Sequence, residues 1–119
     1  MAKINVLGTE YSVAMWAYKE KPIFEKQSID GYCDSVRKEI AVCDMKTFPG
    51  YEDEPIEYCN DIEKQILRHE IIHAFFNESG LQESGLQYSG SWARNEEMVD
   101  WIALQFPKLM KAFKEADAL

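Results

Sequence analysis

Residues 67–76 read Leu-Arg-His-Glu-Ile-Ile-His-Ala-Phe-Phe. The stretch is apolar enough for a protein core, yet it carries two histidines, a glutamate and an arginine. His69 and His73 are the only histidines in the 119 residues. Upstream, Asn60 or Asp61 reads as a helix N-cap, and Ile62, Ile66 and Leu67 recur at helical spacing. The pattern predicts a helix from about residue 61 to Glu78, stopped by Ser79-Gly80. Four residues on such a helix turn the chain through about 400°, so His69 and His73 share one face, about a turn apart.

His69-Glu70-Ile71-Ile72-His73 is H-E-x-x-H. Two imidazoles on one helix face can converge on one Zn²⁺ at roughly 2.0–2.1 Å each. Glu70, next to His69, turns towards the same side, where it can take a proton from the attacking water. The plain alternative is a histidine pair that holds no metal. A catalytic zinc needs three protein ligands and an open position. No histidine remains, so the third ligand must be a carboxylate or a thiolate. The longer metzincin pattern H-E-x-x-H-x-x-G-x-x-H is excluded, because Phe76 stands at its glycine and Ser79 at its third histidine.

Downstream lies Asn95-Glu96-Glu97-Met98-Val99-Asp100. N-E-x-x-x-D resembles the second signature of the thermolysin-type gluzincins. That resemblance implies that Glu96 is the third zinc ligand and that Asp100 braces His69 through its non-metal nitrogen. Helix geometry agrees: Glu96 and Asp100 are four apart and share a face, and a metal-bound histidine needs an orienting acceptor. Glu97 would share its face with Trp101, which accepts no hydrogen bond; its plainer role is a solvated charge at a helix N-terminus. The run Glu96–Pro107 is also similar to a helix of the ImmA/IrrE-like metallopeptidases of phages and mobile elements. The resemblance spans roughly residues 60–105. It implies one Zn²⁺ per chain and a peptide or protein substrate.

The rest of the chain reads as scaffold. Lys3–Gly8 and Tyr11–Trp16 are β-prone runs joined by Gly-Thr-Glu, a hairpin pattern. Tyr18–Gln27 is a charged connection with room for one helical turn. Ile29–Asp34 and Glu39–Asp44 form a second hairpin pattern around Ser-Val-Arg-Lys. Asp44–Tyr58, with Pro49, Gly50 and Pro55, reads as a loop. Leu81–Ala93, punctuated by glycines, reads as a mobile loop. A second helix is expected from near Arg94 towards Phe113, interrupted or kinked at Pro107. Arg68 reads as a surface or salt-bridge residue. In zincins an extended substrate pairs with the edge strand before the metal helix, and the nearest β-like segment is Glu39, Ile40, Ala41, Val42, Cys43 and Asp44. No spare histidine is left to stabilise an oxyanion; Tyr88, with Trp92 and Arg94 as alternatives, is the candidate, though Tyr88 and Trp92 also suit loop packing.

Composition narrows the function classes. The net charge is −8 and the pI about 4.7, which repels phosphate backbones and argues against direct nucleic-acid binding. No run of about 20 apolar residues exists, so no membrane span is expected. Cys33, Cys43 and Cys59 are odd in number and form no C-x-x-C; reduced thiols in a cytoplasmic protein fit best. We expect one α+β domain over residues 1–119. It should be zincin-like: a small, mostly antiparallel sheet followed by two helices that meet at a metal site. The expected activity is peptide-bond hydrolysis by a zinc-activated water with Glu70 as general base. The alternative is a zinc-stabilised binding or regulatory module on the same scaffold, without significant turnover.

Overall fold

The computed structural model describes residues 2–81 and 92–119. Tyr88 and most of the expected glycine-punctuated loop lie outside the described residues. The chain is α+β, a four-stranded mixed sheet followed by helices.

Strands β1 (Ala2–Val6) and β2 (Thr9–Trp16) pair antiparallel, with Ile4 opposite Tyr11. Their turn is Leu7-Gly8, with φ of 53° and 92°. Two positive φ values in a two-residue loop match the twist of the flanking strands. The Asn5 side chain accepts from the Gly8 N–H at 2.8 Å and fixes it. The predicted hairpin is present, but Thr9 and Glu10 belong to β2 and not to the turn.

Strands β3 (Gly31–Asp34) and β4 (Glu39–Cys43) form the second predicted hairpin. Asp34 Oδ1 accepts from the N–H groups of Val36 and Arg37 and holds its turn. Cys33 stands opposite Ile40, so it does not face Cys43.

The strand order is β1-β2-β4-β3, and β4 runs parallel to β2, with Val13 opposite Ile40. A short helix, α1 (Pro22–Lys26), and β3 separate those two strands in the chain. The expectation that Glu39–Asp44 offers a free edge is therefore corrected. β4 is paired along both sides, and Asp44 lies past it, capping a 3-10 turn. The physical reason is visible in the residues. Ile40, Ala41, Val42 and Cys43 are all buried, and a continuous apolar run suits a central strand. The shorter β3, ending in Asp34, takes the edge.

Helix α2 (Ile56–Glu78) crosses one face of the sheet. It begins about five residues before the predicted start. Pro55, at φ −58°, presets the entry, and Cys59 is buried in the first turn; Asn60 and Asp61 lie inside the helix. The core has two clusters. Ile40 packs with Val6, Tyr11 and Ala74; Ala41, Val42 and Cys43 belong to a second cluster with Phe24, Met45, Cys59 and Ile66. Glu63 is also buried, where its carboxylate accepts from the Met45 N–H at 2.8 Å. Gly31 is a point of close approach between edge strand and helix. A Cβ there would stand 2.6 Å from Ile66 Cγ2 and 3.6 Å from Glu70 Cγ.

Helix α3 (Glu96–Glu115) packs on α2 through buried Val99 and Ala103. Asn95 caps it, accepting from the Met98 N–H at 3.0 Å. The interruption expected at Pro107 is absent, and α3 continues through that residue. A proline at 107 leaves the Ala103 carbonyl without its helical donor. Arg68 Nε donates to that carbonyl at 2.7 Å. Arg68 is thus no ordinary surface residue; it satisfies the group that Pro107 orphans and ties α3 to α2. Among the described residues no helix is long and apolar enough to cross a membrane.

Candidate metal centre

Helix α2 carries His69, Glu70 and His73, and the first turns of α3 bring Glu96 and Asp100 against them. His73 Nε2 lies 2.6 Å from Glu96 Oε1 and 3.1 Å from His69 Nε2. His69 Nε2 lies 3.2 Å from the same Glu96 oxygen. Three donor atoms from two helices therefore converge on one small volume. Glu97 is exposed and lines a separate surface hollow with Asn95 and Trp101, so Glu96 is the acid at the histidines.

The far nitrogens of both rings are fixed. His69 Nδ1 stands 2.7 Å from Asp100 Oδ1, and His73 Nδ1 stands 2.7 Å from the Ala93 carbonyl. A carbonyl only accepts, so His73 Nδ1 donates; a carboxylate imposes the same on His69. In the neutral rings both Nε2 atoms are then bare acceptors. They face each other and an anionic oxygen. Three lone-pair donors this close repel unless a proton or a cation lies between them. Ligands held at about 2.0–2.1 Å around a tetrahedral zinc stand about 3.3–3.4 Å apart, close to the two longer distances. The donor set fits a zinc ion, with two neutral imidazoles, one carboxylate and an orienting acceptor behind each ring.

Glu70 differs from His69, His73 and Glu96 in its burial. It is buried, 8% exposed, with its Oε2 4.0 Å from His69 Nε2. Each of His69, Glu70 and His73 offers a ligand atom within 4.8 Å of the others. Burial pushes the Glu70 carboxyl up to about 7; His69 opposes the shift, and Glu96, Asp30 and Asp100 add to it. A cation at the histidines would favour its charged form. Burial also raises the Cys33 thiol, to about 12, and raises Asp30 above the ordinary carboxylate range.

Two hollows flank Glu70. One, about 360 Å³, lies between β3 and α2 and reaches His73, Asn77, Arg94 and Glu96. The other, about 250 Å³, is lined by Asp30, Tyr51, Gln65 and Asp100 among others. His69 and Glu70 line both. The edge strand β3, not β4, borders this cleft.

The structure thus brings together His69, Glu70, His73, Glu96 and Asp100. Residues Glu39–Asp44 are not at the cleft's free edge, and Tyr88 lies outside the described residues. Trp92 is exposed and stacks edge-on to Phe76 at 6.0 Å, in keeping with packing. Nothing in the sequence marks the Ala93 carbonyl, since a backbone acceptor has no side-chain signal. Asp30 and the β3 edge could have been found only through strand order. Compared with known proteins, the chain matches no family model, no curated protein and no solved structure.

Proposed function

We propose that this chain is a zinc-dependent peptidase of the gluzincin type, holding one Zn²⁺ through His69, His73 and Glu96. The observation that carries this reading is the convergence of two tautomer-fixed Nε2 atoms and Glu96 Oε1 within 3.2 Å of one another. Bound there, zinc supplies Lewis acidity that polarises a carbonyl and lowers the pKa of water. Glu70 supplies the proton traffic. Its buried carboxylate accepts a proton from the attacking water and returns it to the leaving amine. Asp100 and the Ala93 carbonyl keep both rings aimed. The extended substrate would add to the outer edge of β3, Gly31–Asp34, whose backbone groups, unpaired there among the described residues, border the cleft. A cytoplasmic location suits the three free cysteines.

Glu70 also weighs against a purely structural metal module, which has no use for a buried carboxylate beside the ligands and not among them. The test is Glu70→Gln. The amide keeps the size of the carboxylate and leaves the ligands intact, but it is a very poor base. Zinc should stay bound, and cleavage of a substrate found in a broad peptide library should fall at least about 100-fold. A variant that cuts at the wild-type rate would overturn the mechanism. A wild-type protein that cleaves nothing in such a library would favour the binding module.

A further inference from the structure

The two hollows beside Glu70 differ in their charged lining: acids line one, and an arginine joins the acids of the other. At one end Asp30 lines the smaller hollow with Asp100, Tyr51 and Gln65, and no lysine or arginine among the described residues lines it. Half-buried Asp30 makes no hydrogen bond or ion pair with another side chain among the described residues; His69 and Asp100 act on its charge through space. Its position is fixed from behind, because its carbonyl accepts from the Cys43 N–H of the central strand at 2.8 Å. Asp100 differs, being bound to His69.

At the other end stands Arg94. Among the described residues it is the one arginine or lysine lining either hollow, and it makes no ion pair. It too is held from both sides. Ala93 before it is bonded to His73, and Asn95 after it caps α3. The neighbouring acids leave it free: Glu96 faces the histidines, and Glu97 lies in a different hollow.

We propose that this cleft selects a peptide with opposite charges on the two sides of the reacting bond, a cationic side chain reaching Asp30 and an anionic one reaching Arg94. The inference rests on the metal-dependent reading above and names its substrate class. Asp30 is the stronger selector. A cation entering its hollow meets a partly desolvated carboxylate that no other described side chain hydrogen-bonds, and charge-assisted hydrogen bonds of that kind change affinity by about tenfold or more. Arg94 is exposed, so its preference is weaker, about threefold.

Hydroxamates test this without turnover. One series carries the hydroxamate after a capped amino acid, the other before an amidated one, so each places a single side chain on one side of the metal. Calorimetry on the zinc-loaded protein compares lysine, norleucine and glutamate at that position. In one series lysine should bind about tenfold better than norleucine, and Asp30→Asn should erase that ratio. In the other, glutamate should bind about threefold better than norleucine, and Arg94→Gln should erase that ratio. A ratio taken within one protein is not mimicked by a general loss of fold. Acetohydroxamate, which has no side chain, separates the two readings. If it binds while lysine and norleucine bind alike in both series, charge selection is overturned and the metal reading stands. If it does not bind, the metal reading fails and charge selection falls with it.

Discussion

Glu70, the proposed general base, carries a cost in stability. An isolated carboxylate in a core costs free energy whenever it is ionised. Its folded value near 7 lies above the ordinary 4.5, so the unfolded chain holds the charge more easily. The resulting penalty is absent below about pH 4.5, grows between 4.5 and 7, and is complete above 7. A neutral amide of the same shape escapes it. In the metal-free protein Glu70→Gln should therefore be more stable than wild type at about pH 8, by about 1–3 kcal/mol, and equal to it near about pH 4. Urea denaturation at both pH values measures this. An equal stability at the higher pH would mean that Glu70 is not desolvated. The histidines, Glu70, Glu96 and Asp100 were all legible at this scale, because each sits in a motif whose spacing is fixed by a helix. The Ala93 carbonyl was not, because it belongs to the backbone of a connection between helices.

Between elements, the link that matters most joins α2 to α3, since the candidate ligands are divided between them. Arg68 and Pro107 make that link together. The proline removes the internal donor for the Ala103 carbonyl, and Arg68 Nε replaces it at 2.7 Å. Arg68→Met should leave that carbonyl unsatisfied and cost about 1–3 kcal/mol. In a Pro107→Ala background the restored backbone N–H at that position can serve the carbonyl, and Arg68→Met should then cost less than about 1 kcal/mol. Chemical denaturation of the four proteins gives the coupling. Equal costs in the two backgrounds would show that the two residues act independently. Apolar periodicity predicts the body of α2, and Ser79 is its C-cap. It misses the start at Ile56 because Pro55 and the burial of Cys59 outweigh the better capping residues Asn60 and Asp61.

For the whole molecule, both hairpins could be read from alternation and turn residues, but their arrangement could not. Sequence order suggests that the strand just before the metal helix is an edge. The structure places β4 in the middle, paired parallel to β2 and antiparallel to β3. The burial of all four residues Ile40–Cys43 is the reason, and alternation alone gives no hint of which neighbour a buried strand takes. Placing β3 at the edge moves the proposed docking face to Gly31–Asp34. At Gly31 the absence of a side chain brings the strand within contact of Ile66 and Glu70. Part of the acidic balance of the chain gathers on one side of this cleft, where Asp30, Glu70 and Asp100 meet.

The central claim is that His69, His73 and Glu96 hold one zinc between α2 and α3. Elemental analysis of purified wild type and His73→Ala, each loaded with zinc and dialysed, tests it most directly. Removing His73 leaves a two-ligand site, one short of the three protein ligands such a centre needs. The expected result is about one equivalent of zinc in wild type and none in the variant, with circular dichroism showing the helices retained. A wild type that holds no zinc, or a His73→Ala protein that keeps a full equivalent, would contradict it.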